Sequence, residues 1–319
     1  MMGIKIIKAG LQTTVQDLGR TGYRRDGIIV SGAMDTLALQ IGNLLLGNEP
    51  GTAGLECTLM GPKIIFETPQ LVALTGGDLS PQIDGVAVKM WRPLYMEKGS
   101  VLSFGATVKG CRTYLTVFGG FKLHAVLGSY STYLKAGFGG HKGRALKNED
   151  TLSFNKVYKG AKKIFNWSLD LKLYPDPGEA LIRVLKGPEY DLFTPESLAL
   201  MLEKEYLITN EADRMGYRLQ GPPIQIMEAK EMLSSAVCFG TVQVTTSGAA
   251  IILMADHQTT GGYPRVLQVI TADLTRLAQM KSGQQVRFKL VTLDEARAAL
   301  LLREKQVKQL EQTITFKYI

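Results

Sequence analysis

At 319 residues the chain exceeds one typical domain, and with 45% apolar and 21% charged residues it can bury a sizeable core under a charged surface. No apolar run approaches the ~20 residues of a membrane-spanning helix, "MMGIKIIKAG" has no signal-peptide pattern, and three widely spaced cysteines argue against a disulfide framework or zinc site, so a cytoplasmic protein without membrane association is expected. The net charge of +8 admits anionic small molecules, acidic partners or nucleic acid. The last is weakest, because the basic residues are scattered, densest in "KGAKK" (159–163), and no nucleic-acid module accompanies them.

In chain order, "MGIKIIK" reads as a first strand. Short apolar or alternating runs follow: "KIIF", "LVALTG", "VAVKMW", "VLSFG", "YLTVFGG", "LIRVLKG", "VQVTT", "AIILMA" and "VRFKLV". Each is bounded by Gly, Pro, Asp or Asn, which is strand-and-turn writing. Helices are few. "MDTLALQIGNLLLGN" places Leu37, Ile41, Leu44 and Leu45 on one face, with Asp35 as cap and Gly47 as stop. "TPESLALMLEKEY" starts with Thr194 as cap and Pro195 at the first helical position. "TADLTRLAQM" is a third, and the longest, "TLDEARAALLLREKQVKQLEQ", opens with the capping-box pair Thr292 and Glu295. The basic "NKVYKGAKKIFN" and the proline-bearing "LYPDPGEA" mark a break around 155–180, predicting units over 1–165 and 175–319. "LMGPKIIFETPQ" (59–70) and "LKGPEYDLFTPES" (185–197) echo each other across that break, a match as compatible with chance as with two related barrels.

Several stretches carry more polar capacity than a turn requires. "ADHQTTGGYPR" (255–265) crowds Asp256, His257, Gln258, Thr259, Thr260 and Tyr263 around Gly261 and Gly262, directly after an apolar strand. "TVQDLGRTGYRRDG" (14–27) offers Gln16, Asp17 and Arg20, and is equally a charged turn with an internal ion pair. "SGAMD" places Ser31 and Asp35 ahead of a helix start, an anion seat or simply a cap. "NEADRMGYRLQGP" supplies Asp213, Arg214, Tyr217 and Arg218, a carboxylate clamp or surface ion pairs. "FGGHKGR" lacks the spacing of a phosphate loop, and "VKMW" lacks one methionine of a biotin-attachment site and reads as an ordinary strand.

Taken in order, "QTTVQDLGRTGY", "SGAMD", "GNLLLGN", "LECTLMGP", "TGGDL", "GRAL", "DRMGYRLQGP" and "DHQTTGGYPR" resemble the carboxyltransferase-like family called allophanate hydrolase subunit 2. The resemblance spans roughly residues 4 to 290. It implies a mainly β fold of two cyclophilin-like β-barrel units with a few short helices and a C-terminal helix. Family members include the C subunit of a bacterial ATP-dependent 5-oxoprolinase, which opens the lactam of 5-oxoproline to glutamate. Others are an antagonist of the kinase inhibitor KipI and part of the carboxyltransferase region of urea carboxylase. The implied partners are a KipI-like, allophanate hydrolase subunit 1-like B subunit and a 5-oxoprolinase A subunit, with a small acidic substrate. ATP with Mg2+ is implied for the assembled complex, and no covalent biotin, since no biotin-carrier segment is present.

The chemistry this implies is demanding, because amide resonance makes an unstrained lactam carbonyl a poor electrophile. Phosphorylating its oxygen requires cationic or N–H donors for phosphate and carboxylate. On that basis Asp256 or His257 would move protons, Gln258, Thr259, Thr260 and Tyr263 would orient the lactam, and Gly261 and Gly262 would admit close backbone contact. Gln16, Asp17, Arg20, Ser31, Asp35, Asp213, Arg214, Tyr217 and Arg218 would bind substrate, all converging on one pocket. The competing functions are a regulatory antagonist binding a KipI-like inhibitor and a carboxyltransferase component.

Overall fold

A computed structural model describes residues 2–162, 164–176, 178–228 and 232–318; Lys163 of the basic "KGAKK" stretch and Pro177 of "LYPDPGEA" lie outside them. The chain forms two units, neither of them a single continuous segment. The first comprises residues 1–20, 31–177 and 306–319, the second 21–30 and 178–305. The linear division expected at 165/175 is therefore corrected in two places. Residues 21–30 join the second unit, where Arg24 donates to the Val237 carbonyl. The end of the terminal helix joins the first, where Leu310 and Ile314 are buried in its core.

In the first unit the strands are β1 (Gly3–Lys8), β2 (Gln12–Gln16), β3 (Gly54–Thr58), β4 (Lys63–Phe66), β5 (Gln70–Asp78), β6 (Gln82–Ile83), β7 (Val86–Ala87), β8 (Pro93–Met96), β9 (Val101–Ser103), β10 (Lys109–Val117) and β11 (Thr151–Ser153), with helix α1 (Thr36–Leu44) between β2 and β3. They form a six-stranded sheet ordered β11-β1-β4-β9-β6-β7 and a five-stranded sheet ordered β2-β3-β10-β5-β8. Period-2 alternation explains the core between them: Ile4 and Ile6 of β1, Ile64 and Phe66 of β4, and Leu55 and Leu115 of the other sheet are all fully buried in one cluster. The opposite face of the five-stranded sheet receives α1, whose Leu37, Ala38, Ile41 and Leu44 pack with Ala73 and Tyr114. Asp35 caps α1 as its position predicts, accepting from the Ala38 N–H at 3.0 Å.

The second unit contains β12 (Leu181–Lys186), helix α2 (Pro195–Glu203), β13 (Tyr206–Ile208), β14 (Gly216–Gln220), β15 (Ser235–Ala236), β16 (Thr241–Val244), β17 (Ala250–Leu253), β18 (Thr260–Gly261), β19 (Arg265–Val269), helix α3 (Leu274–Ala278), β20 (Gln285–Leu290) and the start of helix α4 (Leu293–Tyr318). Seven strands close into a barrel in the order β12-β19-β16-β17-β14-β13-β20, and β15 pairs with β18 outside it. The fold is mainly β, as the run of short strands implies. Where two barrels are expected, hydrogen-bonded closure occurs in the second unit, while the first encloses its core between two sheets.

The helix caps hold: Thr194 accepts from Ser197 N–H at 3.3 Å, and Thr292 and Glu295 bond reciprocally at 2.7 and 3.2 Å. The echo that the sequence left open has no structural counterpart, and one strand expectation fails. The echoed segments differ in structure: Lys63–Phe66 is a strand, whereas Tyr190–Leu192 is a 3₁₀ turn leading into α2. "VKMW" is not a strand, because pairing stops at Ala87 and Trp91 takes a left-handed φ of 61° with its N–H on the Leu74 carbonyl at 2.9 Å. No helix among the described residues is long and apolar enough to cross a membrane.

Candidate active site

The first polar turn follows β2. The buried Asp17 carboxylate accepts from the Gly19 N–H at 2.7 Å, the Ser129 hydroxyl at 2.8 Å, the Tyr130 N–H at 2.6 Å and the Ser131 hydroxyl. Arg20, only 1% exposed, donates to the Ser131 carbonyl and lies 4.7 Å from the Phe138 ring centroid. A Cβ on Gly139 would meet the Ser131 oxygen at 2.1 Å and the Arg20 guanidinium at 2.8 Å, so this contact requires glycine there. Gln16 donates to Thr14 and to the Thr132 carbonyl at 3.0 and 3.2 Å, and Ser31 donates to the same carbonyl at 3.3 Å. Gln16, Asp17, Arg20 and Ser31 thus come together on residues 129–132, tying distant parts of one unit together. The "FGGHKGR" turn serves the same unit: Arg144 binds Asp150 bidentately at 2.6 and 2.9 Å, holding that carboxyl well below its ordinary range.

Asp35 heads a buried acid network. Besides capping α1 it accepts from the Tyr174 hydroxyl, and its own N–H donates to Tyr114 Oη at 2.8 Å. Tyr114 donates to Glu56 Oε2 at 2.7 Å, and the Met34 N–H reaches the same oxygen at 2.9 Å. Burial, then the Glu56 and Asp35 charges, push the Tyr114 phenol well above its ordinary value. Glu56, Tyr114 and Tyr174 are absent from the sequence-derived candidates. The legible signal was Glu56 standing in "GLECT" between Leu55 and Cys57, an acid inside a strand buried on both faces.

In the second unit "ADHQTTGGYPR" divides by depth. Asp256 forms a bidentate pair with Arg214 at 2.9 and 2.9 Å, each about 5% exposed, and the Asp256 N–H donates to the Arg214 carbonyl at 2.7 Å. This pair fastens the start of the loop to the turn before β14. His257 is buried, and burial followed by Arg24 lowers its pKa. Its Nδ1 faces the Gln258 carbonyl, which can only accept, so Nδ1 carries the proton and Nε2 a lone pair. Gln258 donates weakly to Gln243 at 3.5 Å, and Gln243 donates to the Tyr263 carbonyl at 2.9 Å while a Cβ on Gly261 would lie 2.7 Å from it. Tyr263 is 43% exposed and Gly262 is exposed.

Thr259 and Thr260 line a cleft of about 440 Å³ with Arg24, Arg25, Ala236, Val237 and Cys238. Neither arginine makes an ion pair among the described residues, and no carboxylate lines the space. Two guanidinium groups, two hydroxyls and no acid form a donor set suited to carboxylate or phosphate. The remaining candidates are used elsewhere. Asp213 accepts from Met215 and Gly216 N–H at 2.7 and 3.0 Å, closing a turn. Tyr217 is buried and donates to the Met280 carbonyl at 3.1 Å. Arg218 pairs on the surface with Glu211 at 2.8 Å, the two side chains 56% and 72% exposed. The expected Arg214/Arg218 clamp is therefore corrected: strand alternation sends Tyr217 inward and Arg218 to solvent, and Arg214 is neutralised by Asp256.

The model of the carboxyltransferase domain, subdomain A and B, matches residues 26–290. The chain belongs to this carboxyltransferase family. It is 40% identical over 315 residues to the 5-oxoprolinase C subunit of Escherichia coli, covering 97% of each chain, and 39% identical to the Haemophilus influenzae protein of the same name, covering 95% of this chain and 96% of the other. Among solved structures it resembles the Kluyveromyces lactis urea amidolyase with a TM-score of 0.90 at 27% identity, over 97% of this chain but only 20% of that one.

Within this carboxyltransferase-family chain the family match begins just after Arg24 and Arg25, which the sequence candidates also omitted although "GYRRDG" contains them. Their role was illegible because residues 21–30 join a unit whose other members begin at 178.

Proposed function

We propose that this chain is the C-type subunit of an ATP-dependent 5-oxoprolinase, opening a lactam to glutamate together with a KipI-like B subunit and an A subunit, and without covalent biotin. The observation carrying this is the 40% identity across nearly the whole of both chains with a relative named as that subunit. In contrast, the likeness to urea amidolyase embraces a fifth of a much larger protein. The acid-free cleft supports an anionic substrate. Arg24 and Arg25 would hold its carboxylate or a transferred phosphoryl group, with Thr259 and Thr260 donating to the lactam edge. ATP, with Mg2+, would supply a phosphoryl group to the lactam oxygen, activating the ring carbon toward water. The ring C–N bond then breaks with its nitrogen taking a proton, and a second water releases phosphate from the new carboxyl group. No group of three His, Cys, Asp or Glu side chains among the described residues is gathered for a metal, so this donor set fits the anion rather than its ion. Neutral His257 has the lone pair to accept a proton, and Asp256 acts by positioning Arg214 and the loop.

The test is glutamate release from 5-oxoproline and ATP as purified subunits are added in turn. Release that requires this chain is expected. Full release without it contradicts the proposal and favours the KipI-antagonist function.

A further inference from the structure

A large cleft lies in the first unit and takes in the "VKMW" segment and the "TGGD" end of β5. It has a volume of about 830 Å³, at the upper end of small-ligand sites. Its lining comes from the 88–92 segment that leaves the sheet after β7, the 168–176 segment, and the ends of β5 and β10. Apolar walls are conspicuous: Val108 is 71% and Leu171 57% exposed, beside Val88, Met90 and Trp91. Chains rarely leave such side chains facing water without a use for them.

Around these walls stand four cations, Lys89, Arg92, Lys109 and Lys172, against two acids. Lys109 is spent on Asp176 at 2.7 Å, and Asp78 accepts from the Ser80 N–H at 2.8 Å. Lys89 and Lys172 make no ion pair among the described residues. Arg92 makes none either: it donates to the Phe165 carbonyl at 3.3 Å, and its Nε is enclosed without a hydrogen-bond partner. A guanidinium on the cleft wall with no counter-charge among the described residues is a ready partner for an anion. Trp91, directly before it, holds the left-handed backbone that a bulky residue adopts only when its surroundings impose it. That kink carries the chain from Lys89 to Arg92 along the cleft.

From this arrangement we infer a second ligand site for an organic anion with a flat or extended apolar body, its anionic end held by Arg92 with Lys89 and its body against Val108 and Leu171. The inference is independent of the proposed lactam chemistry. Two sources share this chemistry, nucleoside phosphates and acyl carboxylates.

The probe is 8-anilinonaphthalene-1-sulfonate, an apolar body with one fixed negative charge. The chain has two tryptophans, so Trp167→Phe leaves Trp91, on the cleft wall, as the sole indole. Saturable binding that quenches Trp91 is expected. Arg92→Gln, which retains a donor for the Phe165 carbonyl, should weaken it about tenfold or more. The exposed Lys89→Glu should weaken it about threefold, guarding against misfolding of the first variant. The uncharged analogue N-phenyl-1-naphthylamine should bind wild type and Arg92→Gln alike. Displacement of the probe by ADP assigns a nucleoside phosphate, and displacement by decanoate an acyl carboxylate. The inference is overturned by the absence of saturable quenching, by equal sulfonate affinity in wild type and both variants, or by displacement with neither competitor.

Discussion

Two polar turns of similar composition end differently. The turn after β2 draws Asp17 and Arg20 into the first unit, where Gly19 and residues 129–131 meet the carboxylate with four donors. The loop after β17 buries only its first part, Asp256 and His257, and then delivers Thr259 and Thr260 to an open cleft beside Arg24 and Arg25. The difference is one of satisfaction. A carboxylate already accepting four hydrogen bonds is a fastener, with little capacity left for a substrate. Cations and hydroxyls that line a space without a carboxylate retain their capacity for one.

Variants that break each turn should therefore fail in different ways. The largest effect is expected for Asp256→Asn, which leaves Arg214 buried without its counter-charge and should cost about 3–5 kcal/mol in urea denaturation. A loss below about 1 kcal/mol contradicts the fastener role. Asp17→Ala should follow at about 2–3 kcal/mol, since several enclosed donors lose their acceptor.

Acid sharpens the contrast. The folded-state pKa of His257 is depressed, so the unfolded chain binds more protons in the window below the ordinary value of about 6.5. Stability is fully present above that value and lost as pH falls through it. His257→Asn should flatten the slope just below pH 6.5 in thermal melts; an unchanged slope assigns it to other groups. Arg218→Ala should matter least, within about 0.5 kcal/mol, because its partner Glu211 and it are both largely exposed.

Much of the fold was legible because local rules governed it. Alternation gave Ile4 and Ile6 their inward face, and caps set the starts of α1, α2 and α4. Ring closure of one unit only was not legible, since local patterning is alike in sheets that close and sheets that do not. At the site, Thr259 and Thr260 were visible from their loop, whereas Arg24 and Arg25 were hidden by the passage of residues 21–30 into the other unit. Arg214 misled for a similar reason. Its neutralisation by Asp256, 42 positions away, is a tertiary fact that no spacing rule contains.

The most direct test of the account is ATP-dependent glutamate release by the reconstituted assembly carrying Arg24→Gln, normalised to folded chain. Arg24 lines the acid-free cleft, so turnover per folded chain should fall about tenfold or more, while loss of its hydrogen bond to the Val237 carbonyl lowers the melting temperature of the isolated chain by only a few degrees. Wild-type turnover in that variant contradicts the assignment of the cleft as the site of chemistry.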